Sequence, residues 1–416
     1  MKTVFKTTVL ATSLVLALTA CSQSKDQSAS EKAKQIHLNN QMQSNDLADA
    51  GEQLVSPYTF MLADKAFDMA LEKDAANPKA QFYKAFIKRL MVFKGIARRI
   101  GPLMNKGDQK QIADYAKWKK DFPESPLKTF LMDGPEDIDT YAKATRVVAD
   151  YNKALNEFRL FLKKNSTLEL TLNLNPHVFQ QEINEEYANS CTWKEVADGS
   201  IDVNCDSSGV AQKKLNSADL IALRQATGGE MLYWSIYTAY DMTTIEQISK
   251  NEQLQHMTPP EALAYYKTLP SIARLNADNT LNLIPEIGVD FSAAVKWVKQ
   301  YQDRVCPKGI SGRNQRRGFL FKDGVCIENA TELDKSLAVL DQALGGVFTA
   351  PIKDDNDQQI DQIRVNLVGF LKNPPQDLKN LLPESVDQEG KVTRWSDSTF
   401  GGLFPDGDIS KIPQKK

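Results

Sequence analysis

The spacing of apolar positions predicts a chain built mostly from helices. Within residues 56–101, Ala63, Phe67, Ala70 and Leu71 recur at intervals of four and three, which places them on one helical face. Lys73-Asp74-Ala75-Ala76-Asn77-Pro78 then interrupts the pattern. Asn77 suits an N-cap and Pro78 a first helical position, so a second helix starts there, with Tyr83, Phe86 or Ile87, Leu90 and Phe93 along its buried side. A longer stripe of Val147, Val148, Tyr151, Leu155, Phe158 and Leu162 runs through 140–164, with Asp139 as the expected N-cap. Further helices are expected after Asn216-Ser217 and over 260–267, 290–303, 331–344 and 358–371. Period two replaces period 3.6 at 167–174, where Leu168, Leu170, Leu172 and Leu174 alternate with polar residues as in a half-buried strand. The segment from Cys191 to Cys205 reads as a small hairpin beside it, and 274–283 as another short strand. Beyond Phe370 the density of Pro, Gly and Phe predicts an irregular tail held by docked side chains.

The Ala63-x3-Phe67-x2-Ala70 core, with the turn and helix after it, resembles a tetratricopeptide repeat: the second helix of one repeat and the first of the next. Ala75 stands where that repeat's turn proline is expected, and the first-helix tryptophan has no counterpart. About three repeats are needed to bury a continuous core, and one unit is evident, so the others are degenerate repeats or ordinary paired helices. Two blocks further along resemble a group of bacterial lipoproteins with no activity assigned to it. One is Asp219-Leu220-Ile221-Ala222-Leu223-Arg224-Gln225-Ala226, running on to Ala239-Tyr240-Asp241-Met242. The other is Asn373-Pro374-Pro375-x-Asp377-Leu378 followed by Leu381-Leu382-Pro383 and, later, Thr399-Phe400-Gly401-Gly402-Leu403-Phe404-Pro405. The expected fold class is therefore mainly α: a TPR-like, α-solenoid-like helical array with small disulfide-bonded β elements. Its expected parts are a signal peptide (1–20), a lipidated tether (21–45), a TPR-like region (46–165), a mainly helical region with two disulfide loops (166–370) and the irregular tail (371–416).

The N-terminus supplies an address. Lys2 and Lys6 precede an apolar run from Val9 to Leu18, too short for the roughly 20 residues that span a bilayer but suited to a signal-peptide core. Leu18-Thr19-Ala20-Cys21 resembles a lipobox, which implies diacylglycerol on the Cys21 thiol and acyl chains that hold the mature protein on a membrane. Ser22 at the following position resembles cargo sorted to the outer membrane, facing the periplasm. Residues 22–34 are nearly devoid of apolar groups and read as a flexible tether. The full chain carries 51 basic and 53 acidic residues, and loss of Lys2 and Lys6 leaves a balance of about −4, with no field to attract nucleic acid.

Besides Cys21, the cysteines are Cys191, Cys205, Cys306 and Cys326. In an exported protein four cysteines point to two disulfides; of three connectivities, 191–205 and 306–326 close the shortest loops, each stabilising by about 3 kcal/mol on a chain-entropy model. Metal binding is disfavoured by the absence of close C-x-x-C spacing, and His37, His177 and His256 form no ligand pair along a helix. Nucleophile-elbow, Walker and dinucleotide signatures are missing, Glu182, Glu185 and Glu186 read as a solvated helix face, and Asp354-Asp355-Asn356-Asp357 lacks EF-hand spacing. The expectation is accordingly a binding protein without enzymatic activity, cofactor or metal. Three surfaces are candidates for binding. Arg98 and Arg99 lie at the end of a helix expected to run from Pro78 to Arg99; Arg313, Arg316 and Arg317 lie between Cys306 and Cys326; Tyr233 and Trp234 begin an aromatic stripe continued by Tyr237 and Tyr240. A scaffold or adaptor for another envelope protein or peptide is the leading expectation. The alternative is a periplasmic component delivering a small hydrophobic molecule or a glycan to a transporter, using Tyr233 and Trp234 in a deep pocket.

Overall fold

The computed structural model describes residues 34–38, 41–55, 60–107, 109–121, 126–174, 191–195, 201–205, 211–249, 251–305, 330–353 and 358–412. The expected signal segment, Cys21 and the basic loop between Cys306 and Cys326 lie outside them. The described residues are mainly helical, with small antiparallel strand pairs, and fall into two compact units.

The first unit comprises residues 1–138, 153–230 and 300–326. Its chain runs through β1 (Lys34–Leu38), α1 (Ser44–Gln53), α2 (Phe60–Lys73), α3 (Pro78–Met91), α4 (Ile96–Arg99), α5 (Gly101–Met104), α6 (Gln109–Asp121) and α7 (Pro126–Met132). It resumes in the later part of α8 (Tyr141–Lys164), then β2 (Leu170–Leu174), β3 (Cys191–Glu195), β4 (Ile201–Cys205), β5 (Ala211–Leu215) and the start of α9 (Ser217–Tyr237). β1 and the first two residues of α1 were expected to belong to the tether, and the rest of α1 to the TPR-like region. Leu47, Ala48, Ala50 and Leu54 give α1 a buried face, and Gly51 lets it close on α2, because a Cβ there would sit 2.7 Å from Phe67 Cε1.

The α2–α3 turn follows the expected chemistry. Asn77 is buried, its Oδ1 accepts from the Ala80 amide at 3.0 Å, and Pro78 opens α3. The Asn77 amide nitrogen donates to Ser44 Oγ and Asn45 Oδ1, both at 2.9 Å, while Ser44 Oγ donates to Ala70 O at 2.9 Å. One side chain thus joins the start of α1, the end of α2 and the cap of α3. Phe67 stacks on Tyr83 with ring centroids 4.9 Å apart, and the core continues through Phe82, Ile87, Phe158 and Leu162. In β2, Leu170 and Leu172 are buried and Thr171 is exposed, the period-two pattern of the sequence. Its partner is β5, with Leu170 opposite Leu215. The Cys191–Cys205 hairpin forms, yet it pairs with β1 in the order β1-β4-β3 rather than lying beside β2. One end of that sheet aligns Lys34, Cys205 and Cys191 as successive backbone partners.

The second unit comprises residues 139–152, 231–299 and 327–416. It takes the start of α8, the end of α9, β6 (Tyr240–Asp241), α10 (Thr243–Ser249), α11 (Pro259–Thr268), β7 (Arg274–Leu275) and most of α12 (Ile284–Val305). After these come α13 (Ala330–Leu344), β8 (Phe348–Lys353), β9 (Gln359–Val365), α14 (Leu367–Lys372), β10 (Pro383–Val386) and β11 (Val392–Trp395). Three expectations change here. The cap of α8 is Thr140, whose Oγ1 accepts from the Lys143 amide at 3.3 Å, while Asp139 pairs with Lys143 at 2.9 Å. Residues 358–371 are a strand followed by a short helix; pairing with β8 sets Ala350 opposite Ile363 and satisfies a backbone that β-branched residues favour. Segment 274–283 keeps only two strand residues before a 3-10 turn at Leu281–Leu283.

The tail is more ordered than its composition implies, since β10 and β11 form a hairpin. Phe404 and Ile409 cover Ile352 and Ile363 in a core of their own, and Asn366 N donates to Leu403 O at 2.8 Å. The two tail blocks also meet: a Cβ on Gly401, at φ +69°, would lie 2.7 Å from Pro375 Cγ and 3.3 Å from Phe370 Cε2. Asp377 accepts from the amides of Ile272, Ala273 and Lys379, and Asp397 from those of Thr399 and Gly401. Partial desolvation raises both carboxyls, but the Ser271 hydroxyl at Asp377 and the Thr399 hydroxyl at Asp397, together with these amides, outweigh it and hold them below the usual carboxylate range. Both tail blocks therefore carry folding contacts.

Candidate functional site

In the first unit, the residues flanking the outer side of α3 form an open groove of about 500 Å³ lined by Asp64, Lys84, Ala85, Lys88, Met91 and Glu157. α2 supplies Asp64, α3 the next four and α8 Glu157. Lys84 bridges Asp64 at 2.6 Å and Asp68 at 2.8 Å; Lys88 meets Glu157 at 2.5 Å. Partial burial lowers the Lys84 ammonium, but its two carboxylates outweigh that and raise it. α3 also carries Arg89, buried with its guanidinium 4.1 Å from the Phe86 ring and 5.2 Å from that of Phe158. The groove thus offers small apolar positions at Ala85 and Met91 inside a rim of alternating charge.

The same helix is pinned by a network that sequence reasoning missed. Lys79 bridges Asp49 at 2.6 Å and the buried Glu52 at 2.8 Å, and Tyr83 donates to Glu52 at 2.9 Å. Burial, then the Glu52 carboxylate, push the Tyr83 phenol well above its usual value. Glu52 lies near the start of the region expected to be TPR-like (46–165), and nothing in its spacing announced a buried carboxylate.

Arg98 and Arg99 end the four-residue α4 rather than α3. Arg99 makes a two-pronged pair with Asp137 at 2.9 and 3.0 Å, and its carbonyl accepts from Ile138 N at 2.9 Å. Arg98 is paired with Glu136 at 3.5 Å. Both were expected to face a partner; each already has an internal carboxylate, and Arg99 is part of the turn that positions residues 134–138.

In the second unit, the end of α9 inverts the usual helical pattern. Met231, Ser235 and Thr238 are buried, whereas Tyr233 is 54% exposed, Ile236 67% and Tyr237 42%. A buried hydrogen-bonded cluster fixes this rotation: Asn152 Nδ2 donates to Ser235 Oγ at 3.0 Å and to Thr280 Oγ1 at 2.7 Å, and the two hydroxyls lie 2.7 Å apart. Half-buried Trp234 stands edge-to-face with Tyr233 (4.8 Å), Tyr237 (6.0 Å) and the buried Tyr151 (6.4 Å). Tyr141, 44% exposed at the start of α8, adds a further ring. Burial, with the neighbouring Tyr233 and Tyr141, raises the Tyr237 phenol and keeps it a neutral donor. An exposed aromatic group of this kind is more informative than scattered surface apolar residues. Tyr240, the last member of the predicted stripe, is turned to structural use and donates to Pro375 O at 3.0 Å.

Cys21, Cys306, Cys326, Arg313, Arg316, Arg317, His177, Glu182, Glu185, Glu186 and residues 354–357 lie outside the described residues. His256 is exposed at the end of a 3-10 turn, Glu252–His256. Among the described residues no group of three or more His, Cys, Asp or Glu side chains could hold a metal, and no helix is long and apolar enough to cross a membrane. Comparison of the chain with protein-family models, with curated proteins and with solved structures gives no match.

Proposed function

We propose that this chain is a lipid-anchored cell-envelope binding protein, attached to the outer membrane through Cys21, that holds a peptide or protein partner along α3. The observation that carries the reading is the open groove of about 500 Å³ bounded by α2, α3 and α8. Its charged rim suits selection of a partner by charge pattern, and Ala85 and Met91 leave room for an apolar anchor. The consecutive packing of α1 on α2 and α2 on α3 supports a TPR-like array in this region. The same reading includes a disulfide between Cys191 and Cys205, as their spacing in an exported chain leads one to expect. Cys306 and Cys326 would form the second. For the transporter-delivery alternative, Tyr233 and Trp234 would have to line a deep pocket; the exposure of Tyr233 and Tyr237 favours a surface contact.

The test is photo-crosslinking in intact cells from a reactive amino acid placed at Lys88 or Ala85. One reproducible envelope protein, captured from these positions and lost with Lys84→Glu, is the expected result. Equal capture from an exposed position of the second unit, such as Lys335, would refute the groove. Metabolic labelling with a tagged fatty acid, abolished by Cys21→Ser, checks the anchor.

A further inference from the structure

We propose that the exposed aromatic end of α9, with Tyr233, Trp234, Ile236 and Tyr237 joined by Tyr141, is a docking surface for the headgroup layer of the membrane that carries the lipid anchor. The proposal rests on the anchored reading of Cys21. Three observations favour a bilayer over other occupants.

The first is chemical type. Tyrosine and tryptophan rings have an apolar body and a polar tip, and they concentrate where hydrocarbon meets water. Here they surround Ile236, the most exposed large apolar side chain among the described residues at 67%. The second is charge. From Met231 through Tyr240 the chain carries no Asp, Glu, Lys or Arg, so the α9 part of the patch sets no carboxylate against anionic headgroups; the neighbouring charges are Glu230, Asp241 and the exposed Asp139–Lys143 pair beside Tyr141, which can stay in water at the edge of the interface. The third is reach. Cys21 and Lys34 are about thirteen residue steps apart, which a chain spans with at most about 45 Å. That reach applies to the first unit, and the second, which carries the patch, is covalently joined to it, so the patch meets the bilayer at a high effective concentration and one too weak to recruit a free protein suffices for a tethered one.

The rotation of α9 supports a purpose for the patch. Ser235 and Thr238 occupy the inward face while Tyr233, Ile236 and Tyr237 point outward, and the Asn152–Ser235–Thr280 cluster holds that arrangement. A helix placed only for core packing would bury the larger apolar surface instead.

The test uses the mature chain from residue 21, held by an N-terminal histidine tag on vesicles of phosphatidylethanolamine and phosphatidylglycerol that contain a nickel-chelating lipid. This tether is independent of natural acylation, so failure of the anchor reading, seen by fatty-acid labelling, is distinguishable from failure of docking. Brominated acyl chains should quench tryptophan emission, and Trp234→Phe should remove most of the quenchable signal. Ile236→Asp combined with Tyr233→Ser should weaken docking roughly tenfold or more, by loss of apolar burial, with hydrogen exchange across the second unit's other helices unchanged because both side chains are mostly exposed. Quenching that is absent, or that Trp234→Phe leaves unchanged, would overturn the proposal. So would concentration-dependent self-association abolished by Ile236→Asp without any quenching, which would assign the patch to a second copy of the chain.

Discussion

Replacing Asn77 should separate its two roles. Its Oδ1 caps α3 through the Ala80 amide, and its Nδ2 feeds Ser44 Oγ and Asn45 Oδ1 at the start of α1. In Asn77→Ala the cap is lost at about 1 kcal/mol, and two acceptors lose a charge-neutral donor at about 0.5–1.5 kcal/mol each, so about 2–4 kcal/mol in all. Asn77→Asp keeps the cap, and a carboxylate is favourable at a helix N-terminus. It nevertheless sets an oxygen against Asn45 Oδ1 and Ser44 Oγ, and the Ser44 proton is already committed to Ala70 O. The aspartate variant should therefore lose about 1–3 kcal/mol although it caps as well as asparagine does. With two units in the chain, a single melting temperature is a poor readout, and hydrogen exchange of amides in α1 and α3 is the better assay. Exchange through this local opening should accelerate by about thirty- to several-hundred-fold in the alanine variant. Wild-type exchange in Asn77→Asp would refute the joint-bracket argument and leave Asn77 as a simple cap.

Gly51→Ala should destabilise the α1–α2 pair by about 1–3 kcal/mol, because its Cβ would sit 2.7 Å from the buried Phe67 ring; differential scanning of the first unit's transition checks it. Arg99→Glu should loosen residues 134–138 by about 1–3 kcal/mol, seen as faster exchange at Ile138, so loss of a partner in that variant would report unfolding as readily as binding. The raised Tyr83 phenol stays protonated in the fold while an unfolded tyrosine ionises near 10. Stability that is full below the unfolded value is thus lost as pH rises toward the folded one, and the first unit should weaken above about pH 10 in urea titrations. Tyr83→Phe should reduce that loss without removing it, since Lys79, raised by Asp49 and Glu52 despite desolvation, titrates in the same sense. Truncation after Phe370 strips Phe404 and Ile409 from Ile352 and Ile363, and should cost roughly 3–6 kcal/mol by apolar burial alone; an unchanged thermal transition of the second unit would refute tail docking.

Local pattern was enough wherever an element's own residues specify both its conformation and its buried face. The α2–α3 turn, with Asn77 before Pro78, is set by capping chemistry inside six residues, and the stripe of α8 from Val147 to Leu162 is buried as its 3.6 spacing demands. The Leu170–Leu172 alternation likewise declared a strand before its partner was known. Pattern failed where a distant segment decides the outcome. Residues 359–365 have spacing compatible with a helix, and only β8 across the sheet makes them a strand. Arg98 and Arg99 looked like free cations because Glu136 and Asp137, nearly forty residues on, are their partners only in the fold. The aromatic stripe of α9 was visible in sequence, but which side of it faces solvent was not. That rotation is held by Asn152 and Thr280, far from Ser235 along the chain, because a buried hydroxyl that must find a hydrogen-bond partner outweighs the tendency of the helix to hide its rings.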